Sequence, residues 1–135
     1  MRLSPLPFAA ATFGLCLLAA CGPKGGANTA PAAVAAARAA GQAAAVAHMA
    51  AHALGAAAYA AKAAALAAPD QHVAVAQEIR WQLIHMSAPV KAALRLLPPL
   101  GEDSSGPLGP GLLASGLQGT AIRDLQAGLA DADLR

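Results

Sequence analysis

Between Ala30 and Ala68 the chain places 25 alanines in 39 residues, and this constrains its fold more than any other feature. Alanine has the highest helix propensity of all residues because fixing it costs no side-chain entropy. The segment is therefore predicted to be helical. Asn28 or Thr29 can cap the start, Pro31 suits the first turn, and Pro69 ends the run. A helix of that length is long for a small domain, so a break is expected around Leu54–Gly55, giving an antiparallel hairpin. Gly41 and Gly55 are the weak points, each costing about 1 kcal/mol relative to alanine.

The stretch "PDQHVAVAQEIRWQLIHMSAP" carries a second helical pattern. Asp70 can cap it, Val73, Ala76, Ile79, Leu83 and Met86 follow one face, and Pro89 closes it. "VKAALRLLPP" adds a short helix stopped by Pro98 and Pro99. The fold class is thus all-α, a small alanine-rich hairpin or bundle of three or four helices spanning residues 31–98. Alanine has little apolar area to bury, so the core is expected to rest on Val46, Leu54, Leu66, Ile79, Trp81, Leu83, Ile84 and Leu94. That is a thin core, and it predicts marginal stability. Residues 99–135 are dense in Pro, Gly and Ser and read as a low-order tail. Within it, Ile122, Leu125 and Leu129 have helical spacing, but Gly128 and the acidic end make a weak helix at best. Five basic and two acidic residues lie in 30–98, against two basic and five acidic in 99–135. That balance points away from nucleic acid.

The first 20 residues read as an export signal. Arg2 gives a positive start, and Pro7 to Ala20 form an apolar run shorter than the roughly 20 residues a spanning helix needs. The run ends Leu18-Ala19-Ala20-Cys21, which resembles the lipobox of bacterial lipoproteins. The resemblance implies cleavage before Cys21 and a diacylglycerol on its thiol, with residues 21–30 as a disordered tether. Several acyl chains, each buried CH₂ worth about 0.8 kcal/mol, make a stable membrane anchor. Cys16 would leave with the signal, so no intramolecular disulfide could form. Gly22, in place of aspartate, resembles the pattern of proteins that reach the outer membrane and face the periplasm. Ala39 to Ala61 lack formal charge over a length that could also cross a bilayer. Gln42, His48 and His52 would then lie in hydrocarbon, and alanine drives insertion weakly.

On a continuous helix, Arg38, Gln42, His48, His52, Tyr59 and Lys62 would form one drifting band. His48 and His52, at i and i+4, have the spacing of a helical zinc pair, but the glutamate of the protease version is absent and a third ligand is needed. Asp70, His72, Glu78 and His85 qualify by residue type only. The alternatives are a hydrated polar seam and a partner-binding surface, on which His48, His52, Tyr59, Lys62 and Trp81 are the candidate contacts. Trp81 reads first as core. No phosphate loop, nucleophile elbow or productively spaced carboxylate pair is present, so neither a cofactor nor a small-molecule substrate is expected.

Arg38, Gly41, His48, His52, Gly55 to Ala60, Lys62, and Glu78 with Trp81-Gln82 together resemble the bacterial immunity proteins of polymorphic toxin systems, of the immunity-five-like kind. The likeness covers about Ala33 to Leu97. It implies an all-α domain without enzymatic activity that binds and neutralises a cognate toxin. This chain departs from the family where a further helical section is expected upstream and a signal peptide stands instead. It also departs in compartment, since such proteins usually stay in the cytoplasm. The competing reading is a small structural or accessory lipoprotein, whether intact or a degenerate fragment, without a catalytic role.

Overall fold

Pro31 begins the first helix, where its missing N–H is no loss because the first-turn donors have no intrahelical acceptor. A computed structural model describes residues 30–104 and 106–131. The expected signal, the tether and Cys21, with Asn28 and Thr29, lie outside the described residues, as do residues 132–135. Within them the protein is all-α: α1 (Pro31–Ala45), α2 (His52–Ala67), α3 (Gln71–His85), α4 (Ala88–Arg95), a 3₁₀ turn (Leu112–Ala114) and α5 (Gly116–Asp131). That makes five α-helices among the described residues rather than three or four. The cap of α1 is Ala30, which offers no side-chain acceptor. Asp70 caps α3 as expected, its carboxylate accepting from Val73 N at 3.1 Å.

The hairpin turns earlier than expected. α1 ends at Ala45, and Val46 to Ala51 form turns tied by bonds such as Met49 N to Ala45 O at 3.2 Å and His52 N to Met49 O at 3.1 Å. Gly55 is instead a buried residue inside α2. A Cβ there would stand 2.5 Å from Gln42 Oε1 and 3.1 Å from Leu113 Cδ1. The glycine thus serves close approach between helices rather than a turn. Alanines make the rest of the contact: Ala35 on α1 and Ala58, Ala61 and Ala65 on α2 are buried, letting the two backbones come together. The break also ends any single span from Ala39 to Ala61. No helix among the described residues is long and apolar enough to cross a membrane.

The largest difference lies after Pro98. Residues Gly116–Asp131, expected within a low-order tail, form a helix whose Ile122, Leu125 and Leu129 are buried against α2 and α3. Spacing alone gave a weak helix, and tertiary burial of its apolar stripe overrides that propensity. Gly128 contributes by absence of a side chain, since a Cβ would meet Leu83 Cδ1 at 2.4 Å. The proline-rich connection is fastened as well. Gln126 Nε2 donates to Pro98 O at 2.9 Å, and its Oε1 accepts from Leu100 N at 3.1 Å. Leu108 inserts fully into the core, and Arg95 Nε donates to Leu129 O at 2.9 Å near the end of α5.

The core is therefore only partly the expected one. Leu54, Ile79 and Leu94 are buried, and Leu66 and Leu83 are half-buried. Val46, Trp81 and Ile84 are exposed, the last two at 46% and 64%. The inward face of α3 runs through Val75, Ile79, Gln82 and Met86 rather than Val73 and Ala76. The reason is competition: α5 supplies the bulky apolar groups, so α3 turns its tryptophan outward.

Candidate functional site

The turn at Val46–Ala51 divides the polar band between two antiparallel helices. Pairing across the hairpin nonetheless reunites most of it. Gln42, late in α1, meets His52 at the start of α2, with Gln42 Oε1 and His52 Nδ1 2.8 Å apart. The amide oxygen accepts, so Nδ1 carries the proton in the neutral ring, and Nε2 keeps the free lone pair. His48 lies exposed in the turn, its ring centroid 5.2 Å from that of His52 and tilted by 57°. The two imidazoles are neighbours, as their spacing expected, though no continuous helix joins them. Among the described residues, no group of three or more His, Cys, Asp or Glu side chains gathers into a metal site. Asp70 is occupied by its cap, and His85 faces its own helix.

One layer along the hairpin, the guanidinium carbon of Arg38 lies 5.8 Å from the Tyr59 ring centroid, within cation–π range. Tyr59 is only 4% exposed, so its ring forms the floor of the surface rather than a projecting anchor. Arg38 and Lys62 stand at the rim of a small crevice of about 190 Å³, with Pro31, Val34, Leu66 and Tyr59 among its walls. Of the proposed contacts, His48 and His52 thus adjoin each other, and Tyr59 and Lys62 share a crevice with Arg38.

Trp81 is separate from both groups. Its indole stacks on His85 one turn further along α3, with centroids 4.3 Å apart and planes 25° from parallel. His85 Nδ1 lies 2.7 Å from Trp81 O, where the ring N–H donates to the carbonyl and holds the stack. Val73 and Ile84 are also exposed on α3, interspersed with exposed Gln77 and Arg80.

Sequence reasoning missed the part played by Gln82. It is 9% exposed, and its Nε2 donates to Ala57 O at 3.2 Å and to Glu78 Oε1 at 2.8 Å, tying α3 to the α2 backbone. Its Oε1 is buried without a partner among the described residues. Glu78 accordingly helps hold the side chain that ties α3 to α2. The only signal was a glutamine at i+3 from Ile79 within an otherwise apolar stripe.

The Arg38–Tyr59 layer, the histidine pair and the Trp81–His85 stack all fall in α1 to α3. That is also where a known family overlaps. Residues 24–89 match the family model described as Imm-5 like putative immunity protein. The match takes in α1, α2, α3 and the first residues of α4, and leaves α5 outside. No curated protein and no solved structure matches the chain. The resemblance drawn from Arg38, His48, His52, Tyr59 and Trp81 thus agrees with an independent description of the same segment.

Proposed function

We propose that this chain is a non-catalytic, immunity-type binding protein that neutralises a toxin by direct contact. The observation that carries the reading is the family match over residues 24–89, which contains every candidate contact on the surface of α1, α2 and α3. The surface chemistry supports it. A half-exposed tryptophan held by a stacked histidine and flanked by Ile84 is the kind of rigid aromatic anchor that dominates protein interfaces. Polar residues of the hairpin and of α3 are paired with each other, as in Gln42–His52 and Glu78–Gln82, rather than aimed at a substrate.

We further propose that the protein acts from the bacterial envelope. The lipobox-like Leu18 to Cys21 supports a lipid on Cys21 and a place on the outer membrane facing the periplasm. The toxin it opposes would then act in the envelope, since an anchored binder meets only partners on its own side of the bilayer.

The test is co-expression with the product of a neighbouring toxin gene. Growth should be restored by the wild-type chain, and the two proteins should co-purify from the membrane fraction. Mass spectrometry of that fraction should find an N-terminus at Cys21 carrying acyl groups. A soluble chain retaining Met1 would end the anchoring proposal. Failure to bind any toxin of the gene neighbourhood would end the immunity reading.

A further inference from the structure

The α1–α2 hairpin has an unbalanced charge. From Ala30 to Pro69 there are two formal charges, Arg38 and Lys62, and no aspartate or glutamate. Both cations line one crevice, and neither has a carboxylate partner among the described residues. Arg38 is spent only on the face of Tyr59, which leaves the edges of its guanidinium free. Arg38 is exposed with its guanidinium over the buried Tyr59 ring, and its planar N–H fork can give one carboxylate two parallel hydrogen bonds. Lys62, from α2 and lining the same crevice, adds a point charge. The remaining walls, including Pro31, Val34 and Leu66, are apolar.

From this combination we infer that the Arg38–Tyr59–Lys62 crevice is the specificity pocket of the binding surface, taking a carboxylate side chain from an acidic segment of a partner protein. The inference rests on the binding role proposed above and adds the chemistry of the partner. A carboxylate suits a crevice lined by two cations and no acid. The space, about 190 Å³ or roughly six waters, suits one or two side chains. A nucleic-acid backbone would need a longer basic track, whereas apolar walls suit the aliphatic stem of a glutamate and a neighbouring leucine. The charge also distinguishes partners, because a basic segment would be repelled at the same place.

The test uses the isotopically labelled full chain, titrated by NMR with a decapeptide of glutamate, leucine and serine. Two control peptides replace every glutamate by lysine or by glutamine. The acidic peptide should shift the amide signals of Arg38, Tyr59 and Lys62, with an affinity that falls as salt rises. The R38Q/K62Q double variant should weaken that binding about tenfold, as expected for losing two surface charge contacts. K62R, which keeps the charge, should keep most of it, whereas R38K, which keeps the charge but loses the planar fork, should lose part of it, and circular dichroism should show every variant as helical as wild type. Equal shifts from the lysine peptide, or unchanged affinity in R38Q/K62Q, would overturn the inference. So would no shift at all, even if the cognate toxin still co-purified, and in that case the immunity reading would stand. Binding of the acidic peptide without any rescue of growth would support the crevice chemistry and remove the toxin reading.

Discussion

Leu125→Ala tests whether α5 is part of the domain or an appended tail. Leu125 is 0% exposed and belongs to the core cluster that joins Leu54 and Ala58 of α2 to Ile79 of α3. Truncating a buried leucine costs the lost transfer free energy plus the cavity left behind, about 2–5 kcal/mol in total. Much of the facing surface is alanine (Ala58 and Ala61 among them), and an alanine has no χ angles with which to fill a hole. The cost should therefore avoid the low end of that range and reach at least about 3 kcal/mol. Against a total stability of about 5–15 kcal/mol, that is a large share. It should lower the melting temperature by roughly 12 °C or more, since each kcal/mol moves a domain of this size by about 4–8 °C. Leu112→Ala is the control: Leu112 adjoins the same region but is 66% exposed, so its change should stay within about 0.5 kcal/mol. Thermal and urea melts followed at the helical circular-dichroism band measure both. If Leu125→Ala melts with wild type, or if removing residues after 115 leaves the transition unaltered, α5 does not complete the core and the reasoning fails.

Other substitutions probe separate joints. Gly119→Ala should destabilise by about 2–3 kcal/mol in the same melts, because its Cβ would stand 2.4 Å from the backbone oxygen of Ala114, which cannot swing aside. A neutral outcome would mean the 3₁₀ turn packs differently against α5. Asp70→Ala removes the acceptor for Val73 N and should cost about 1 kcal/mol, whereas Asp70→Asn should cost far less. Trp81→Ala should change stability by less than about 1 kcal/mol, given its 46% exposure, yet weaken binding to the toxin partner proposed above by about 2 kcal/mol or more in calorimetry. Equal losses in folding and binding would make Trp81 a structural residue.

The alanine-rich composition by itself determined helices, and local punctuation determined several of their ends. Pro31, Pro69 and the Asp70 cap act within one turn of chain, so their effect is readable without knowing what packs where. The residues of the polar band were also legible, since their chemistry stands out from alanine. What they do together was not. Gln42 meets His52, and Arg38 meets Tyr59, because the chain turns back at Val46–Ala51, and glycine content had pointed to Gly55 instead. A glycine in sequence looks the same whether it permits a turn or a close approach. Only the neighbour that occupies its missing Cβ decides, and here that neighbour is Gln42. The order of Gly116–Asp131 and the outward turn of Trp81 were decided at the same level. An alanine hairpin buries little area of its own, so the position of every bulky side chain depended on which distant segment filled the space beside it, and α5 does so.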